Sequence, residues 1–223
     1  MDQKEIAMNG AGVAELGFPM WPQFDPKTKQ DMADAMDSGL VSYWTGKKGM
    51  EFEEKFRQWS GATMAVSCSC GTAALHIGIS CLGIGPGDEV LVPDPVYLTY
   101  SEIPNIAGAV IKKYNLLEEN DYQVQVDEVR SLITEKTKML VIVSPSNPTG
   151  GVLSRASMEA LADIAREHDL LVLSDEIYDR FVYDDEQELV SIASLPGMKE
   201  RSIVLNGFSK SMAMTGWRLG YIA

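Results

Sequence analysis

Apolar residues along this chain switch repeatedly between helical and strand-like spacing, a pattern that predicts an α/β domain. From Met50 onward, Phe52, Phe56 and Trp59 recur at helical intervals among Glu and Lys, and Gly61 stands where such a helix would stop. Beyond it, short apolar runs predict seven strands: MAVSCS (64–69), DEVLVP (88–93), AVIKKY (109–114), MLVIVS (139–144), LLVLSDE (170–176), SIVLNGF (202–208) and RLGYIA (218–223). Helical spacing between them predicts helices from about 72, near 127–134 and at about 155–167. Val, Ile and Leu on successive positions leave a strand without a polar face, so the sheet must be covered on both sides, as mostly parallel sheets are. The expected fold is three-layer α/β/α around a mostly parallel seven-stranded sheet. Residues 1–48 read differently. Gly10, Gly12, Gly17, Pro19, Pro22 and Pro26 interrupt any long element there, so the stretch is expected to be an arm preceding a domain at 49–223.

Composition narrows the function. The chain is 45% hydrophobic and 23% charged, and no apolar run is long enough to span a bilayer. Its first residues, Met1-Asp2-Gln3-Lys4-Glu5, lack the pattern of a secretory signal, so the cytoplasm is the expected compartment. A formal charge of −13 repels a phosphate backbone, and with no basic patch to offset it nucleic acid is not an expected partner. Cys68 and Cys70 lack two further ligands nearby, since His76 and His168 lie far along the chain, so no metal site is expected. These thiols and Cys81 are expected to be reduced and partly buried. The acidic run Asp184-Asp185-Glu186 reads as a solvated loop.

In a parallel sheet, ligands bind beyond the carboxyl ends of the strands, and that rule selects the residues to weigh. SerCysGlyThrAlaAla (69–74) leaves one strand end and opens a helix. Gly71 and Thr72 there either form an ordinary N-cap or hold a phosphate on exposed amides. Asn147-Pro148-Thr149-Gly150 is either a plain turn or a device that aims the Asn147 amide at a ligand oxygen. Asp175 and Glu176 end the apolar run LeuLeuValLeuSer, where a carboxylate is solvated, caps the next helix or pairs with a cationic ring nitrogen, and Tyr178 follows closely. Ser209 and Lys210 end the next strand, and Arg218 follows in GlyTrpArgLeuGly. A lysine at that position is a candidate for imine formation, and the arginine for a bidentate grip on phosphate.

Taken together, SerProSerAsnProThrGly (144–150), SerAspGluIleTyr (174–178) and AsnGlyPheSerLysSerMetAlaMetThrGlyTrpArgLeuGly (206–220) resemble the fold-type-I enzymes that use pyridoxal 5′-phosphate (PLP). Residues 93–223 look like their class I aminotransferases. The resemblance implies that Lys210 holds the cofactor as an imine and later moves a proton, and that Asp175 keeps the pyridine nitrogen protonated. It further implies that Asn147 and Tyr178 contact the ring oxygen, that Gly71, Thr72, Ser209 and Arg218 hold the phosphate, and that Tyr97 lies over the ring. The implied activity is transfer of an amino group between an amino acid and a 2-oxo acid by a homodimer. A PLP lyase or decarboxylase, and a catalytically silent PLP-binding fragment, stand as alternatives on the same scaffold.

Two features depart from class I. SerTyrTrpThrGly (42–46), GluPheGluGluLysPhe (51–56) and the segment 71–93 resemble the nucleotide-sugar aminotransferases, which are cousins of the same fold type. The sequence also closes on its last predicted strand at Ala223, so the family's small domain, with its carboxylate-binding arginine, is expected to be missing from these residues.

Overall fold

The computed structural model describes residues 23–184 and 187–223. The chain divides into two compact units between Thr45 and Gly46. In the first, helix α1 runs Pro26–Asp37, and Asp25 caps it by accepting the Thr28 N–H at 2.9 Å. Pro26, counted among the interruptions in the sequence, therefore starts a helix. At the first helical position its missing N–H is one that would have had no partner anyway, and its fixed φ already suits the helix.

The second unit opens with α2, Lys48–Ser60, which Gly61 ends at φ +67°. A seven-stranded sheet follows, built from β1 (Val66–Cys68), β2 (Glu89–Asp94), β3 (Val110–Asn115), β4 (Thr137–Val143), β5 (Leu171–Asp175), β6 (Ser202–Gly207) and β7 (Gly220–Ile222). Their order is β1-β7-β6-β5-β4-β2-β3, and every pairing is parallel except the two made by β7. This reversal matters for the site. Gly220, the first residue of β7, lies beside both Cys68 and Gly207, the last residues of its neighbours.

The unbroken apolar run of β4 is explained by cover on both faces. Met139, Val141 and Val143 join one core with Leu75 and Ile79 of α3 (Gly71–Cys81) and Tyr100 and Ile103 of α4 (Thr99–Ile106). Leu140 and Ile142 join the other, with Val129 of α5 (Val126–Leu132) and Met158, Leu161 and Ile164 of α6 (Arg155–Glu167). Burying each such side chain contributes roughly 1.5–3 kcal/mol, which makes the alternate faces of β4 the anchor of both layers. The architecture is thus the three-layer α/β/α fold that the spacing predicts. Helix α4 had no counterpart in the sequence reading, because it is short and contains Pro104. It exists because β2 and β3 are parallel neighbours, which a tight turn cannot join.

All three thiols are free, but Cys81 is exposed rather than partly buried: it sits on the last turn of α3, away from Ala74, Leu75 and Ile79, which pack on the sheet. Asp184 is exposed as expected of the acidic run, and Asp185 and Glu186 fall outside the described residues. Among those described, no helix is long and apolar enough to cross a membrane.

Candidate functional site

A cavity of ≈ 270 Å³ opens at the carboxyl edge of the parallel strands. Its lining includes Gly71, Thr72, Tyr97, Asn147, Asp175, Tyr178, Ser209, Lys210 and Arg218, so residues scattered over most of the sequence meet here. The sheet explains the convergence: β4, β5 and β6 end at this edge, β1 delivers the start of α3 to it, and reversed β7 begins there directly after Arg218.

Asp175 is the last residue of β5 and only 4% exposed. Its Oδ1 accepts the Ile177 N–H at 2.9 Å, and its Oδ2 accepts the Tyr100 phenol. Burial raises the carboxyl from 3.8 to about 6; the Tyr100 hydroxyl, the Ile177 amide and the Lys210 charge pull in the opposite direction without cancelling it. Tyr100 was missed in the sequence. Its only local signal is its place one helical turn beyond Tyr97, and the pairing itself is made by α4 folding over the end of β5.

Lys210 follows β6 through Phe208 and Ser209. The Met212 N–H returns to the Phe208 carbonyl at 3.2 Å and the Ala213 N–H to the Lys210 carbonyl at 3.2 Å, so the lysine rides a tight turn and not a loose loop. Phe208 anchors that turn against Phe52 of α2 and Tyr221 of β7, at ring separations of 5.8 and 5.6 Å. The Lys210 ammonium lies 5.6 Å from the centre of the Tyr178 ring, within cation–π range. Asn147 sits in the loop after β4, which closes on itself through Gly150 N–H to Ser146 O (2.8 Å) and Ser146 N–H to Gly151 O (2.9 Å).

At the start of α3, Cys70 is the N-cap: its Sγ accepts the Ala73 N–H at 3.4 Å, and its carbonyl accepts the Ala74 N–H at 3.0 Å. The amides of Gly71 and Thr72 come before that first intrahelical bond, at the positive end of the helix dipole. Arg218 lies beside them, its backbone at φ +54° and its guanidinium donating to the Thr215 carbonyl at 2.8 Å. Burial by itself would raise the Cys70 thiol, but the Ala73 amide and the Arg218 guanidinium outweigh it and hold the thiol below its ordinary value. An anion at this end would meet two amides and a guanidinium. Thr99 and Thr215 also line the cavity without having been assigned a role from the sequence, and Cys70, weighed there only as a metal ligand, lines it too.

Gly220 keeps this corner compact. A Cβ there would lie 2.8 Å from both the Cys70 carbonyl carbon and the Gly71 nitrogen, which are backbone atoms that cannot rotate away. Gly220→Ala is expected to destabilise the chain by about 1–3 kcal/mol through overpacking, read as a lower urea midpoint. An unchanged midpoint would show that the start of α3 yields easily.

The sequence matches the family model described as aminotransferase class I and II over residues 23–223, on both sides of Pro93. It is 49% identical to an aspartate aminotransferase of Pyrococcus abyssi, over 98% of this chain and 58% of that protein. It is 38% identical to aromatic-amino-acid aminotransferase 2 of Thermococcus litoralis, again over 98% of this chain and 58% of the relative. Among solved structures, the aromatic aminotransferase from Pyrococcus horikoshii superimposes with a TM-score of 0.79 at 40% identity, covering 91% of this chain and 57% of that one. The chain therefore spans somewhat more than half the length of these relatives.

Proposed function

Because the chain belongs to the family of class I and II aminotransferases, we propose that it forms the PLP-holding core of an enzyme that moves an amino group between an amino acid and a 2-oxo acid. The observation that carries this reading is the buried carboxyl of Asp175 facing the same cavity as the amine of Lys210, the start of α3 and the guanidinium of Arg218. That donor set suits PLP, which has a basic ring nitrogen, an aldehyde and a phosphate. Asp175 has an acceptor position left on each oxygen for a protonated ring nitrogen. The amides of Gly71 and Thr72, with Ser209 and Arg218, hold the phosphate.

When bound, PLP supplies a carbonyl for covalent attachment and a cationic ring that accepts an electron pair. The chain's own residues do the rest. Lys210 provides the attaching amine and, once released, takes and returns a proton at the substrate Cα. Asn147 and Tyr178 would hydrogen-bond the ring oxygen, and Tyr97 would pack beside the ring. The assembled enzyme works as a homodimer in the cytoplasm.

The test adds PLP to the purified chain, records its visible absorbance, reduces it with borohydride and maps the labelled peptide. The expected outcome is a new absorbance band and a single adduct on Lys210. A chain that stays colourless and unlabelled would overturn the reading.

A further inference from the structure

Asp175 enters the cavity from the end of a strand, where a side chain can turn about its own bonds unless neighbours fix it. Two groups do so. Ile177 N–H donates to Oδ1 from the chain's next turn, and the Tyr100 phenol donates to Oδ2 from α4, 75 positions away in sequence. Tyr100 is itself buried, packed in the core with Leu75, Val143 and Leu205, and it lines the same cavity. Its ring is thus held among core side chains, with the hydroxyl on Asp175. Its bond is therefore set by how α4 packs on the sheet.

We propose that Tyr100 is a positioning residue: by donating to Oδ2 it fixes the Asp175 carboxylate so that its remaining acceptors face a cationic ring nitrogen in the cavity. The inference rests on the PLP reading above and adds to it a residue that acts through Asp175. The same bond favours the ionised carboxylate, because a hydrogen bond donated to the charged form stabilises that form. Several other titratable groups act around this pair. Lys210 approaches Asp175 from the loop after β6, Glu176 adjoins it in the chain, and Tyr97 and Tyr178 act on Tyr100. Burial and the Asp175 charge push the Tyr100 phenol well above its ordinary range, so it remains a donor at every working pH.

The experiment follows aspartate carboxyl carbons by NMR in the cofactor-free chain between pH 4 and 9, with the Asp175 signal assigned by its loss in Asp175→Asn. In Tyr100→Phe the Asp175 midpoint is expected to rise by ~1 pH unit, the size of one hydrogen bond to a charged group. A midpoint that stays put or falls overturns the proposal. A second measurement does not depend on that variant folding: the Tyr100 ring carbon is titrated in wild type and in Asp175→Asn. Its ionisation is expected to begin at lower pH once the carboxylate charge is gone, and identical curves count against the pairing. The PLP dissociation constant of Tyr100→Phe is expected to rise about tenfold with labelling still on Lys210. Failure of the NMR shift removes the role of Tyr100 and leaves the cofactor reading standing. The expected rise in Tyr100→Phe, together with a wild-type chain that takes up no PLP, removes the cofactor reading and leaves the positioning supported.

Discussion

Lys210→Ala is expected to eliminate borohydride-stable labelling by PLP completely while leaving the fold unchanged. Both halves follow from position. The amine is the attaching group in the proposed chemistry, and among the described residues no other lysine lines the cavity to replace it. The side chain is exposed and its removal leaves no buried void; Asp175 loses the neighbouring Lys210 charge but keeps both of its hydrogen-bond donors, the Ile177 amide and the Tyr100 phenol. The variant's urea midpoint is therefore expected to match wild type within about 0.5 kcal/mol. Peptide mapping of the reduced protein checks the first half and denaturation the second. Labelling that persists at another lysine would place the chemistry elsewhere.

Asp175→Asn is expected to act in the opposite sense on stability and on cofactor binding. The folded carboxyl holds its proton up to about pH 6, whereas the unfolded one releases it near 3.8. Between those values the folded state binds more protons, so stability falls as pH rises through the window and the full cost is present above about pH 6. The shift corresponds to about 3 kcal/mol. Asparagine carries no such cost, so the cofactor-free variant is expected to be more stable than wild type at neutral pH by on the order of 1–3 kcal/mol. It should also lose most of the wild-type decline between pH 4 and 6. PLP binding should weaken by about two orders of magnitude or more, since breaking a buried ion pair costs about 3–5 kcal/mol. Urea unfolding at several pH values, with PLP titration beside it, tests both. A wild-type stability that does not fall between pH 4 and 6 would refute the assigned cost. On the proposed reading, the carboxylate is a place where the fold gives up stability to keep a charge ready for the cofactor.

Much of this was legible in the sequence, and for local reasons. The runs at 139–144 and 170–176 are apolar on successive positions, which only a sheet covered on both faces explains, and β4 and β5 lie where they were read. Asp175 and Lys210 stood out because a charged residue at the end of a buried strand is conspicuous. What was misread also had local causes. Pro26 looks the same whether it breaks an element or starts one, until Asp25 is seen to cap the helix behind it. Pro104 hid α4, which eight residues of weak helical pattern did not reveal.

The sequence by itself determined the strands, most of the helices and the residues at strand ends, because these depend on spacing and on what each side chain tolerates. Only the tertiary structure decided which strand ends share an edge. Nothing in RLGYIA announces that β7 runs backwards, yet that reversal puts Arg218 beside the start of α3. Nothing near Tyr100 announces Asp175, since their hydrogen bond spans 75 positions and exists only when α4 closes over β5. Periodicity records which face of an element is buried; it does not record the neighbour against which that face packs.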